Sequence, residues 1–342
     1  MNRCITYSQA VALAVLAVLP GCGVFDSEVG GAAGADLVIY SGRGEALIGD
    51  LINQFEEDSG LDVKVRYGQS PGLANALIEE GEATPADVFF SQDSGSLGAL
   101  VAEDRLIELD QEVLDRVPAA FRSDGGFWVG TSGRSRVVVF NPERISEEEL
   151  PDSVLDFADP EWKDRVGWAP PNASFQSFVT ALRLVEGEEA ARGWLEGMVL
   201  NDTLPFPNNI QIVEAVGEGE IDVGLVNHYY LPEMKEQNPG ISAENHFIPG
   251  GDVGGLINVA GVGILAGDDV EVENARRFVD YLLSETGQEY FVTETHEYPL
   301  IEGVEPDESL PSLAELDPPD VDLSNLQDLQ GTQKLLGETG AL

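Results

Sequence analysis

The chain has 342 residues and carries 62 Asp and Glu against 18 Lys and Arg, a net charge of −44. Such a surface repels nucleic acid and acidic membranes, so neither is expected as a direct partner. The acids are spread along the chain and read as a solvated surface, suited to solubility at high salt or to attracting cations. The length corresponds to roughly two domains.

Residues 1–22 stand apart from the rest. Arg3 precedes an apolar run, AVALAVLAVL (residues 10–19), and then LPGC. A charged start, a short apolar core and a small-residue cleavage site predict a secretory signal, and the run is too short to span a bilayer comfortably. The Leu-x-Gly-Cys ending resembles the lipobox of bacterial-type lipoproteins. It implies a signal over residues 1–21 and a lipid on Cys22, with plain secretion and a free Cys22 as the alternative. The membrane is then touched only through that anchor, and the location is extracytoplasmic. Of the 2 cysteines, Cys4 leaves with the signal and Cys22 carries the anchor, so no disulfide is expected in the folded part. Residues 22–35 are rich in Gly and Ala, lack periodicity and read as a flexible tether.

Beyond the tether, strands and helices alternate. DLVIY (36–40) reads as a buried strand, and Leu47, Ile48, Leu51, Ile52 and Phe55 recur at helical spacing before Gly60. LDVKVRY (61–67) alternates like a strand with one buried face. Pro71 opens a helix that Gly81 ends, ADVFF (86–90) is a further strand, and GSLGALVAED a further helix. This βαβαβα order predicts a parallel sheet covered by helices. A second set follows: RVVVF (136–140), RVGWA (165–169), a helix from Asn172 to about Val185, and the buried run IDVGLV (221–226). LINVAGVGIL (256–265) reads as a strand, residues 274–291 as one amphipathic helix, and the acidic tail after Glu302 carries one short helix near Leu326–Leu336.

The chain shows no Gly-x-Ser-x-Gly elbow, phosphate loop, His-Glu-x-x-His or Cys-x-x-Cys, which favours binding over catalysis. Ligands of parallel α/β sheets sit beyond the carboxyl ends of the strands, and three such ends stand out. In YSGRGE (40–45), Gly42 and Gly44 let the backbone approach a ligand, and Arg43 could grip an anion with two prongs or lie solvated in an ordinary turn. In PPNASF (170–175), Asn172 reads as a helix N-cap, and the amides of Ala173 and Ser174 could receive an anion or simply be capped. The third end is Asn227-His228-Tyr229-Tyr230. Adjacent side chains normally diverge, but a loop at a strand end can turn two rings to one point. Two phenols there suit a hard trivalent cation such as Fe(III), which prefers charged oxygen and can displace the phenolic proton. The other reading is that both rings pack at a domain junction.

Four stretches, LVIYSGRGEALI, GEATPADVFFSQDSGSLGAL, SGRSRVVVFNPERI and GEIDVGLVNHYYL, follow one another in the order of a known family. Over residues 36–300 the chain resembles the ferric-iron-binding solute receptors of iron ABC importers. The resemblance implies an α/β, two-lobe periplasmic binding protein fold of type II. Each lobe is a mainly parallel sheet flanked by helices, and crossover strands join them. The expected lobes are 36–130 with 246–342, and 131–245. It implies a monomeric receptor, not an enzyme, that binds Fe(III) with carbonate or phosphate as synergistic anion and delivers it to an ABC permease.

Carried over residue by residue, Tyr229 and Tyr230 match the metal ligands. Asn172, Ala173, Ser174, Asn209 and Asn227 match positions around the anion, and Arg43 with Gly44 the arginine turn that binds carbonate in some members. Departures are plain: Gly44 stands where some members have histidine, Gln92 where some have glutamate, and Phe175 near a third tyrosine. Asp93, Gln92, Glu45 and His228 remain as candidates to complete or support the metal shell, and Arg134 and Arg136 as supports of the lobe junction. The alternative on the same fold is a receptor for a small oxyanion such as phosphonate or sulfate, with the tyrosines packed.

Overall fold

A computed structural model describes residues 34–342 of the chain. The expected signal, the lipid site Cys22 and nearly all of the tether lie outside the described residues. Among the described residues, no helix is long and apolar enough to cross a membrane.

The ten strands are β1 (Leu37–Ser41), β2 (Val63–Tyr67), β3 (Val88–Ser91), β4 (Val129–Phe140), β5 (Val166–Trp168), β6 (Leu204–Pro205), β7 (Val223–Asn227), β8 (Glu244–His246), β9 (Ile257–Ile264) and β10 (Tyr298–Pro299). They hydrogen-bond in the order β2-β1-β3-β9-β4-β7-β5-β6, with β8 and β10 also on β4. The pairs β1–β2, β1–β3, β5–β7 and β5–β6 are parallel, as alternating strands and helices require. Antiparallel pairing comes from the strands that carry the chain between the lobes. β3 pairs with β9, and β9 with the first part of β4. β7 and β8 pair with the last part of β4.

β4 is the longest strand, and all 12 of its residues are buried. Its partner changes at its middle: Val129–Ser135 lie against β9 and Arg136–Phe140 against β7. The strand therefore belongs to both lobes. Side chains of a strand alternate between faces. Val137 and Val139 enter a cluster with Ile212, Val213 and Val216, whereas Val138 and Phe140 join the main core. Ser132, Arg134 and Arg136 fall on the second of these faces.

Helices cover the sheet as the spacing predicts. Glu45–Ser59 buries Ile48, Leu51, Ile52 and Phe55, and Gly60 ends it in the left-handed conformation at φ 71°. The expected single helix over 274–291 is two, Val272–Leu282 and Glu285–Thr295. The break falls at Ser284, whose hydroxyl accepts the Gly287 amide and starts a new helix. The tail also differs from one short helix. A 3-10 turn, Leu323–Gln327, precedes the helix Leu329–Thr339. That last helix packs on Ala173–Val185 and Glu188–Leu200, which fall in the segment expected as the second lobe.

One close approach aims the tyrosine pair. Gly224 lies in the middle of β7, and a Cβ there would run into Ile212 of the helix Asn209–Gly217. Gly224→Ala is expected to lower stability by about 1–3 kcal/mol through overpacking, measured by urea denaturation.

Candidate metal and anion site

The tyrosines stand where β7 ends. Val223, Leu225 and Val226 are buried, which fixes the strand between its neighbours. At His228 the chain leaves the ladder with one last bond, from the His228 amide to the Ser135 carbonyl. Tyr229 is helical at φ −70°, ψ −20°, and Tyr230 is the first residue of the helix Tyr230–Gln237. Pro232 follows in the first turn, where its missing N–H costs nothing. This abrupt strand-to-helix turn brings the two rings together. Their centroids are 4.3 Å apart at 31°. Both rings are half-buried.

Burial, then the neighbouring Tyr230, pushes the Tyr229 phenol well above its ordinary value, while Arg134 pulls the other way. This phenol therefore keeps its proton at neutral pH, and only a strong cation would drive it off.

His228 holds the pair from beneath. It is fully buried, its Nδ1 accepts the Ser135 amide at 3.1 Å, and its Nε2 donates to the His296 carbonyl at 2.9 Å. Both ring nitrogens are occupied, so the ring orients the chain and is not free to bind a metal. Its ring also packs 4.8 Å from Tyr298 and 5.9 Å from Tyr229. Asn245 Nδ2 holds the His228 carbonyl at 2.8 Å.

Three arginines lie in this interior. Arg43 is fully buried between the rings of Phe90 and Phe291, and bonds Glu297 at 2.9 Å and Ser132 at 3.2 Å. The Arg43 guanidinium, expected as an anion grip, here meets a buried carboxylate that it shares with Arg134. Glu297 also faces Arg134 at 3.7 Å and accepts from Ser132 at 2.6 Å. Burial alone would raise the Glu297 carboxyl, but Arg43 and Arg134 outweigh it and hold it below its ordinary value. Arg134 in turn donates to the Gln92 carbonyl.

Arg136 differs. Its guanidinium donates to Asn227 at 3.1 Å and lies over Phe175 and Phe178. Among the described residues it forms no ion pair. Burial lowers it to about 10, against the pull of Tyr230 and Tyr229, so it stays charged at neutral pH.

The other expected residues divide. Gln92 is at the site's edge, with its Oε1 buried and unpaired. Asn209 is fully buried, and neither atom of its amide has a partner. Such a group normally finds one, although no hydrogen bond or ring contact among the described residues links it to the tyrosines. Asn172 caps its helix through the Ser174 and Phe175 amides, at 3.0 and 3.3 Å, which leaves Ala173 exposed at the helix start. The structure does not bring Asp93 or Glu45 in. Asp93 caps its own helix through the Ser96 amide at 2.8 Å, and Glu45 is exposed beside Tyr67. Gly44 is exposed with open space around it. Glu297 and Ser132 were not visible in the sequence: Glu297 meets Arg43 across 254 residues, and no local pattern marks it.

The two-lobe arrangement with crossover strands is the type II periplasmic binding protein fold, and comparison with known proteins agrees. The chain matches the bacterial extracellular solute-binding proteins over residues 83–325 and belongs to that family, which consists of binding proteins rather than enzymes. It is 34% identical to a Fe(3+)-binding periplasmic protein of Serratia marcescens, over 91% of this chain and 93% of that one. It is 33% identical to the major ferric iron-binding protein of Neisseria meningitidis serogroup A, over 90% and 93%. Its structure resembles iron-bound HitA from Pseudomonas aeruginosa with a TM-score of 0.82 and 32% identity, covering 89% of this chain and 99% of that one. It also resembles the Trichodesmium protein IdiA (FutA) in complex with iron and citrate, at 0.78 and 27%, covering 89% and 99%.

Burial pulls the His228 ring down to about 4. Between about 6.5, the free value, and that folded value, the unfolded chain takes up a proton that the folded chain does not. The stability tied to His228 is therefore complete above the free value and is lost as pH falls toward the folded one. Urea unfolding at a series of pH values should show a decline of about 3 kcal/mol over this window. His228→Gln, which can make both hydrogen bonds without titrating, should remove that part of the slope.

Proposed function

We propose that this chain is an extracytoplasmic receptor that binds Fe(III) through Tyr229 and Tyr230 together with a synergistic anion, carbonate or phosphate. It delivers the iron to an ABC importer, and a lipid at Cys22 holds it to the membrane. The observation that carries this reading is the stacked phenol pair beside a buried guanidinium that has no carboxylate partner. Two phenolates supply two negative charges to the metal, and the anion supplies more. The anion also provides Arg136 with the counter-charge that the protein does not.

Asn227, the unpaired amide of Asn209 and the start of the helix at Ala173 offer hydrogen bonds to an anion. Gln92 Oε1 offers the metal or its water a neutral oxygen. The names of the relatives, which describe ferric-iron-binding proteins, support the choice of cargo. Closure of the lobes around the site then sets the release rate.

A visible titration with ferric citrate tests the metal. A charge-transfer band that saturates at one iron per chain is expected, and it should shift when bicarbonate is exchanged for phosphate. No band in the folded protein would defeat the reading. Tyr229→Phe combined with Tyr230→Phe should abolish the band and iron retention while leaving thermal stability near wild type. In lightly buffered solution, iron uptake should release about two phenolic protons, followed with a pH electrode; the double variant should release none from this source.

A further inference from the structure

The C-terminal tail touches both lobes, and it does so without slack. Its 3-10 turn, Leu323–Gln327, lies on the helix Ser94–Ala102, which starts beside Gln92. Leu323 and Leu326 are buried there. Two glycines make room for the tail backbone. A Cβ on Gly95 would stand 2.8 Å from the Leu326 carbonyl oxygen, and one on Gly98 would run into that of Ser324.

The turn already approaches the helix Ala173–Val185 of the other lobe, and one residue later the chain packs on that lobe. The helix Leu329–Thr339 buries Leu335 and Leu336 against Ala173–Val185 and Glu188–Leu200. Thr332 bonds Thr180 at 2.7 Å, and Arg192 bonds Glu338 at 2.7 Å. Asp328, the single residue between turn and helix, is itself held. Arg183 bonds its carboxylate at 2.9 Å and its carbonyl at 3.3 Å, and also reaches Thr332 at 3.0 Å.

The same tail lies along the crossing segments. Residues 318–323 line a cavity of about 390 Å³ with Leu256 and Ile257, where β9 begins, and the Asp317 carbonyl accepts the Gly251 amide at 2.9 Å. It also reaches the anion loop. Gln333 donates to Gln176 at 3.1 Å, and Gln176 donates to the Pro170 carbonyl at 3.1 Å, two residues before Asn172.

From this geometry we infer that residues 317–339 form a hinge brace, anchored to both lobes, that limits how far they open and so slows loss of the bound cargo. The inference rests on the proposed closing of the lobes on iron. The physical reason is the short joint. A rigid rotation that parts the helix Ser94–Ala102 from the helix Ala173–Val185 cannot be absorbed by one pinned residue. It must strip either Leu323 and Leu326 from the first lobe or the Leu329–Thr339 helix from the second. Either choice exposes buried leucines and breaks hydrogen bonds, so wide opening is disfavoured.

Two variants of the protein cut the brace at opposite ends. Gly98→Ala adds a Cβ against Ser324 while improving helix propensity, and Arg183→Met releases Asp328 and Thr332 while keeping an apolar side chain at a mostly buried position. Small-angle scattering of the iron-free proteins reads opening directly. A larger radius of gyration than wild type is expected for both variants, returning to the wild-type value with iron. Transfer of iron to a chelator should be about fivefold faster or more.

An unchanged iron-free radius in either variant, with wild-type circular dichroism, would overturn the brace. If the wild type took up no iron, the functional reading would fail, and the iron-free radii would still decide on the brace. If Gly98→Ala did not fold, Arg183→Met alone would decide.

Discussion

Arg134 and Arg136 stand on one face of β4, the strand that both lobes share, and each is only 4% exposed. A buried cation is costly unless a counter-charge and hydrogen bonds accompany it. Much of the surrounding structure answers that demand. Glu297 is held between Arg43 and Arg134, Ser132 completes its hydrogen bonds, and Gln92 gives its carbonyl to Arg134. Arg136 receives the carbonyl oxygen of Asn227 and two aromatic faces, but no carboxylate. The interior is thus left positive beside the two phenols. Under the proposed reading an anion and ionised phenols fill this deficit when the metal binds.

This interior contrasts with the surface. A net charge of −44 surrounds a centre that concentrates guanidinium groups. The outer field attracts cations, whereas the inner field attracts anions and opposes a bare cation. Under the proposed reading, such an interior favours a metal that arrives with an anion over the metal alone, because neither charge then enters the dry interior unmatched. The proposed closure matters for the same reason: excluding water strengthens each of these interactions. The tail brace acts on the same coordinate, through apolar burial and through the hydrogen-bonded ion pairs of Arg183 and Arg192.

The strand ends, most helices and the tyrosine pair were legible from local pattern. Apolar runs of four to six residues bounded by turns are enough to place β1, β3 and β7. The pattern misled where a local signal was weaker than its surroundings. At residues 274–291 the apolar stripe continues through Ser284, but the hydroxyl of Ser284 starts a second helix. For Arg43 the glycine-rich turn allowed either an anion grip or a solvated side chain, and gave no sign of an internal partner. The carboxylate that claims it, Glu297, is remote in sequence and carries no motif. His228 sits next to the tyrosines, yet both of its nitrogens are bound to backbone from other segments.

The sequence by itself determined the alternation of strands and helices, the buried run that leads into Tyr229 and Tyr230, and the excess of acid over base. These follow from side-chain polarity and spacing along a short stretch of chain. Tertiary structure alone decided which charges are spent and which are left over. It paired Arg43 and Arg134 with Glu297, left Arg136 without a carboxylate, and laid the tail across both lobes. The physical reason is that electrostatic and packing partners are chosen by distance in space after folding, and distance along the chain carries almost no information about them.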